Sequence, residues 1–242
     1  MPAALVTGSS RGIGRAIASR FAADGYDVVV NYHTGADAAE AVVDEIEEAG
    51  ASAIAVGADV SDPSAAERLV ERGVDAFGGL DHVVNNAGID QHVYTDELPP
   101  EDFDHVMDVN VNGAFNVTKA ALSALRASAD GPSVTNVSSI LAHTGAPIEC
   151  HYAASKGALL SLTRSHAADF APDVRVNAVA PGHVETDMTA DRTPEEREAE
   201  LEAIPVDRFG QPAEIADAVA YLRDASFVTG ETLNVNGGEL MI

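Results

Sequence analysis

The segment YAASK, 152–156, places Tyr152 four positions ahead of Lys156. On a helix that spacing puts both side chains on one face. Such a pair can do acid–base chemistry. A free tyrosine, with a pKa of about 10, is a poor proton relay at neutral pH. A nearby ammonium favours the tyrosinate and lowers that pKa, so the pair is expected to be tuned towards working pH. A ketone that accepts hydride needs a proton on its oxygen, and a tyrosine hydroxyl can supply it. The lysine stands out for its rarity: of the 14 Lys and Arg residues, only Lys119 and Lys156 are lysines. Alone, a Tyr and a Lys four apart read equally well as a chance pair on a helix surface.

A second stretch suits phosphate. TGSSRGIG, 7–14, follows an apolar run and opens a helical one. Gly8, Gly12 and Gly14 allow a tight turn and close backbone approach, and a helix N-terminus offers free N–H groups to an anion. The spacing differs from the common G-x-G-x-x-G fingerprint, and a Gly-rich turn without a ligand remains open. At the end of the second apolar run an acid would bind a ribose 2′-OH, whereas basic residues nearby would accept a 2′-phosphate. The chain has Asn31-Tyr32-His33 there, with Arg11 in the Gly-rich turn. NADPH is therefore expected over NADH. Asp37 lies too far along, at a helix start.

These motifs occur with Asp59-Val60 after the third apolar run, NNAG at 85–88, Asn110 in DVNVNGAFN, Ser139 in NVSSI and PGHVET at 181–186. In that order and over essentially the whole chain, they resemble the short-chain dehydrogenase/reductase family. The resemblance implies roles. Tyr152 would donate the proton, and Lys156 would bind the nicotinamide ribose and depress the tyrosine pKa. Ser139, thirteen residues before Tyr152, would hold the substrate carbonyl, with Ser138 supporting the strand end. Asn110 would hold a water in a relay through Lys156. For the cofactor, Gly8, Ser10, Arg11, Gly12, Ile13 and Gly14 would cradle the pyrophosphate side, with Asn31 at the second strand end. Asp59 and Val60 would meet the adenine, and Asn86, Ala87 and Gly88 the adenosine ribose. Pro181, Gly182, Val184 and Thr186 would seat the nicotinamide. Singly, Asp59 reads as a loop residue, Asn86 as a turn former and Pro181-Gly182 as punctuation.

Within the family the chain looks most like 3-oxoacyl thioester reductases, of the acyl-carrier-protein or acetoacetyl-CoA type. The words carrying this are SSRGIGRAIA at 9–18, PGHVETDMT at 181–189 and GETLNVNGG at 230–238. Sugar and polyol dehydrogenases share fewer of them. One departure matters. Carrier-protein reductases show basic residues after the long fourth helix and after the catalytic helix. Here those places read RASADGP, 126–132, and FAPDV, 170–174, with only Arg126 and Arg175 basic. A carrier protein is itself acidic, so a CoA thioester or small ketone is the expected substrate. Gln91, His143, Glu149 and His151 are expected near the pocket, or else in solvent-facing loops. No metal constellation is seen among the eight histidines. A nucleotide-binding regulator that holds NADP(H) without turnover is the reading from another class, and the Asn110/Ser139/Tyr152/Lys156 set argues against it.

The elements that must position these residues alternate. Apolar runs at 3–7, 27–31, 53–57, 81–85, 133–138, 174–180 and 232–236 read as strands. Helical spacing occupies 12–25, 37–50, 63–77, a long stretch around 100–127, then 151–170 and 212–223. This alternation predicts a single α/β domain over 1–242, a Rossmann-type doubly wound parallel sheet with helices on both faces. The acidic face of helix 37–50 reads as solvated. The polar stretch 183–211 falls outside the rhythm and reads as a substrate loop or lid.

Bulk composition bounds the rest. The formal charge is −25 with 39 acidic residues, spread over many segments. Self-repulsion of that size destabilises a compact state and is screened in molar salt, where the Debye length is about 3 Å. Scarce lysine with abundant acid resembles proteins of salt-accumulating halophiles; an ordinary acidic enzyme is the alternative. Nucleic-acid binding is disfavoured, since phosphate contacts need a basic face. No apolar run is long enough for a membrane span, and the start MPAALVTGSS reads as a first strand and not a secretory signal. Cys150 is the lone cysteine, which suits a reducing interior; with the acidic charge, a high-salt cytosol is expected. The Asn116 and Asn136 sequons are expected to carry nothing. The family resemblance implies a homotetramer, with Ala114, Phe115, Val117, Leu160 and Leu162 available to an interface or to the core.

Overall fold

Strand-forming apolar runs and helical repeats assemble as their alternation demands. The computed structural model describes residues 1–186 and 193–242, the side chain of Glu196 excepted. Seven parallel strands form one sheet: β1 (Ala3–Val6), β2 (Asp27–Tyr32), β3 (Ala53–Gly57), β4 (His82–Asn85), β5 (Ser133–Val137), β6 (Arg175–Pro181) and β7 (Thr232–Val235). Their order is β3-β2-β1-β4-β5-β6-β7. The order reverses between β1 and β4, and in open α/β sheets the crevice at such a reversal takes the ligand.

Side chains on a strand alternate between faces, and the two faces of this sheet have separate cores. Ala4, Val6, Val28 and Val30 pack on one side with Ile17, Phe21, Ile215 and Val219. These come from helices α1 (Gly12–Ala23) and α9 (Pro212–Asp224), joined there by α2 (Ala36–Glu48). On the other side Ala3, Leu5, Val29 and Val83 pack with Leu69, Val117, Leu125 and Phe170. Those come from α3 (Pro63–Phe77), α5 (Gly113–Ala127) and α7 (Cys150–Phe170). Local signals set the helix ends. The Asp62 side chain caps α3 by accepting from Ser64 N, Pro63 opens its first turn, and Gly78 closes it at φ 80°.

Three elements depart from the reading of the sequence. The long helix expected around 100–127 is α4 (Pro100–Met107) joined to α5 through one π-helical turn, Asp108–Asn112. A short helix α6, Leu141–Thr144, follows β5. The stretch 183–211, expected as a loop, contains helix α8, Pro194–Glu202. Its base is closed: Val184 bridges Gly210, Glu185 N donates to Gly210 O at 2.9 Å and Gly210 N to His183 O at 2.9 Å. The part of that stretch at 187–192 lies outside the described residues. Of the residues expected at an interface or in the core, Ala114, Val117 and Leu160 are buried within the protomer, whereas Phe115 is 42% exposed. Among the described residues no helix is long and apolar enough to cross a membrane.

Candidate active site

The carboxyl ends of β1 to β6 open into one cavity of about 530 Å³. Nearly every residue singled out from the sequence borders it: the turn residues Gly8, Ser10, Arg11, Gly12, Ile13 and Gly14, then Asn31, Asp59, Val60, Asn86, Ala87 and Gly88, then Ser139, Tyr152 and Lys156, then Pro181, Gly182, Val184 and Thr186. Asn110 does not. It lies behind the wall, 1% exposed, in the π-helical turn.

The Gly-rich turn suits an anion. Gly8 and Gly12 have φ of 60° and 57°, the left-handed region that side chains avoid. A Cβ on Gly8 would strike Ala87 Cα at 2.9 Å, so this glycine is needed for packing as well. Gly12 meets only the Thr186 side chain at 3.7 Å and faces the cavity. Helix α1 begins here with no side-chain cap bond and no acidic residue in its first turn. Its N-terminal N–H groups and dipole are left to a ligand. The turn is braced from beside it. Asn31 Oδ1 accepts from Gly8 N at 3.1 Å, and Asn31 Nδ2 donates to the Tyr32, Val56 and Ala58 carbonyls. The Asn31 amide is thus engaged with backbone on every side. Asn86 Nδ2 likewise donates to the Thr7 and Gly8 carbonyls.

The end of β2 is free of acid, and Tyr32, His33 and Thr34 line the cavity beside Arg11, which is exposed. Asp37 is not at the cavity. Asp59 accepts from Ser61 N at 2.9 Å and from Ser61 Oγ at 2.7 Å, both on Oδ1. The Ser61 hydroxyl bond is the main cause holding its pKa below the usual carboxylate value. These residues could hold the adenosine half of a nicotinamide dinucleotide, with N–H groups for the pyrophosphate and a carboxylate for the adenine end.

The other half of the cavity carries the acid–base groups. Helix α7 seats them. Ser138 Oγ donates to Lys156 O at 2.9 Å, tying the helix to the end of β5, and Ser139, the next residue, turns to the cavity. Ser139 Oγ accepts from Leu141 N at 3.1 Å, and its hydroxyl acts on the Tyr152 phenol to ease its proton off. Lys156 is buried, and its Nζ donates to Val137 O at 2.9 Å and lies 5.3 Å from the Tyr152 ring centroid. Burial lowers the Lys156 pKa to about 8, against an opposing pull from Asp90.

The tyrosine does not titrate as its spacing from the lysine suggests. Burial first, and then the carboxylates of Asp90 and Glu149, push the Tyr152 pKa above 10, while the Ser139 hydroxyl pulls the other way. The ammonium of Lys156 is aimed at the Val137 carbonyl, not at the phenol oxygen. The phenol is therefore held in its protonated form.

Asn110 acts from behind. Its Oδ1 accepts from Ile89 N at 2.8 Å, and its Nδ2 donates to Ile89 O at 3.0 Å and to Ser155 Oγ at 3.0 Å. Both backbone groups of Ile89 are clamped. A Cβ on Gly88 would come within 3.3 Å of Asn110 Oδ1 and 3.4 Å of Lys156 Nζ, so this glycine keeps the space between them open.

Sequence reasoning placed four further residues near the pocket, and one lines it. Glu149 does. Gln91 is exposed and bonds Asp102 at 3.2 Å, and His143 is exposed. His151 is fully buried, and among the described residues its ring makes no hydrogen bond. Asp90, His92, His105 and His183 line the cavity without having been picked out. Asp90 and His92 follow NNAG by two and four residues, which is the signal that could have flagged them.

Comparison with known proteins agrees with this geometry. A family model described as enoyl-(acyl carrier protein) reductase matches residues 8–239. The 3-oxoacyl-acyl-carrier-protein reductase FabG of Staphylococcus aureus is 41% identical, covering 98% of each chain. Glucose 1-dehydrogenase 2 of Bacillus subtilis is 40% identical, covering 97% of this chain and 93% of its own. A short-chain dehydrogenase from Burkholderia cenocepacia, solved in complex with NADP, superposes with a TM-score of 0.93 at 38% identity, covering 98% of this chain and 97% of its own. Similar along nearly its whole length to these proteins, and superposing closely on the solved dehydrogenase, the chain belongs to the short-chain dehydrogenase/reductase family and is an oxidoreductase.

Proposed function

We propose that the protein is an NADPH-dependent reductase of 3-oxoacyl thioesters, giving the 3-hydroxyacyl thioester. The observation that carries this is the meeting of Ser139, Tyr152 and Lys156 at one end of a cavity whose other end is an uncapped helix N-terminus beside Arg11. Bound NADPH supplies the hydride. Ser139 and Tyr152 hydrogen-bond the carbonyl oxygen, and Tyr152 passes its proton to the oxygen as negative charge develops. Lys156 holds the nicotinamide ribose, Asp59 the adenine end, and Arg11 with His33 the 2′-phosphate. From the described part of the stretch 183–211, His183, Val184 and Glu200 border the cavity and would lie over the substrate.

A small thioester is favoured over a carrier-bound one. Arg175, one of the two basic residues in the regions where a carrier would dock, is turned inward. Its guanidinium donates to the carbonyls of Leu222, Ala225 and Val228 at 2.8 to 3.2 Å. Arg126 lies 3.8 Å from Asp173. A second reading, a sugar or polyol dehydrogenase, draws on the likeness to a protein named glucose 1-dehydrogenase and on the polar wall of Asp90, His92 and Glu149.

The test is NADPH oxidation with acetoacetyl-CoA in about 2 M KCl, for strong screening, with NADH alongside. Turnover with NADPH and little with NADH is expected. Folded protein that binds NADPH but leaves acetoacetyl-CoA untouched would move the assignment to sugars and polyols with oxidised cofactor. Failure on those as well would revive a binding role without turnover.

A further inference from the structure

The wall beside Tyr152 is charged, and it is built to stay in place. Asn110 clamps both backbone groups of Ile89 at 2.8 and 3.0 Å, which fixes where the next residue, Asp90, emerges. Three residues on, Val93 N donates to Ile148 O at 2.8 Å. That bond ties the 89–93 loop to the segment leading into α7, where Glu149 sits immediately before the helix. Between the two carboxylates lies His92, whose Nε2 is 3.3 Å from Asp90 Oδ2 and 3.0 Å from Glu149 Oε1. Asp90 Oδ1 accepts from Gln91 N at 2.7 Å. The Asp90 side chain is 11% exposed. All three residues border the cavity that holds Tyr152 and Ser139.

We infer that Asp90, held by this framework and backed by Glu149, is a specificity-determining residue that restricts the enzyme to carbonyl substrates uncharged around the reacting carbon. A carboxylate substituent on the substrate would be set against a carboxylate fixed in a partly dry wall, and like charges so placed are strongly disfavoured. Neutral esters, thioesters and hydroxyl-bearing chains meet acceptors instead. The effect of both carboxylates on the Tyr152 phenol is consistent with their facing the reaction site. This inference rests on the carbonyl-reductase reading above but not on the thioester.

The test uses a matched pair, ethyl acetoacetate and acetoacetate, with NADPH at one fixed salt concentration. Wild type, Asp90→Asn and Glu149→Gln are compared by kcat/KM on each substrate. Asparagine keeps the acceptor for Gln91 N, so the loop is retained; circular dichroism and NADPH affinity check this. Wild type should prefer the ester. Asp90→Asn should shrink the ester-to-acid ratio roughly tenfold or more, chiefly through KM for the acid, with Glu149→Gln changing it in the same direction. Equal use of both substrates by wild type, an unchanged ratio in both variants, or no rate on the ester would overturn the inference. Turnover of the ester without turnover of acetoacetyl-CoA would remove the thioester reading and leave this one standing.

Discussion

Tyr152 receives opposing influences from its neighbours: burial and two carboxylates hold its proton on, and Ser139 eases it off. The phenol is thus protonated in the cofactor-free protein, the state from which a reduction starts, and is a weaker acid than a free tyrosine until charge develops on the substrate oxygen. Tyr152→Phe should therefore lower the reduction rate by roughly 10²- to 10⁴-fold while NADPH affinity, read by fluorescence titration, stays near that of wild type; loss of binding with little loss of turnover would contradict the donor role. Lys156 sets a separate limit. With its pKa lowered to about 8, its charge is lost as pH rises through that value. kcat/KM for NADPH, which reports the free enzyme, should fall above pH 8, and a flat profile through pH 10 would count against a charged Lys156 in cofactor binding.

At the scale of elements, the same strands that aim the site also bury groups that titrate. His82 opens β4, is 2% exposed and shares a 2.9 Å hydrogen bond between Nδ1 and Ser133 Oγ. Phe21 and Tyr26 pack on it at 5.8 and 5.3 Å. Burial lowers its pKa to about 4, against about 6.5 in an unfolded chain. Between those values the unfolded chain binds the additional proton, so stability falls as pH falls from about 6.5 towards 4. The cost reaches about 3 kcal/mol at the lower end. Urea midpoints at several pH values should show this slope, and His82→Gln should flatten it relative to wild type. An identical slope in both proteins would place the acid sensitivity elsewhere.

For the whole molecule, charge dominates. A net −25 on 242 residues repels itself, and few of those charges are neutralised inside. The ion pairs of Arg15 with Glu45 and Arg208 with Glu214 lie at the surface, where each adds little. Raising KCl from about 0.1 M to 2 M shortens the screening length from about 10 Å to below 3 Å, so the thermal midpoint should climb steeply over that range. The homotetramer that the family resemblance implies should assemble more completely in the same titration, followed by light scattering. A monomer at molar KCl would remove the tetramer. Phe115, 42% exposed on α5, with Phe227 and Tyr221, which are also exposed, are among the large apolar side chains available to such an assembly.

Much of this was written in order along the chain. Strands read from apolar runs, because both faces of a parallel sheet are buried and the run needs no alternation. The Gly-rich turn, NNAG and the Tyr152/Lys156 pair read from spacing, because each is a local device whose geometry follows from a few adjacent residues. What spacing could not carry was the content of the walls. Asn110, expected to hold a water, sits behind the wall and clamps Ile89; His151, expected near the pocket, is fully buried; Asp90 and His92, which no spacing singled out, form the wall beside Tyr152. The phenol titrates upward and not downward for the same reason. Four residues along a helix bring Lys156 and Tyr152 to one face, but burial and the carboxylates of a distant loop act through space, and only the folded chain sets those distances. The sequence by itself determined the sheet, the crevice and the groups that meet there. The tertiary structure alone decided which side chains face the cavity and what charge they present there.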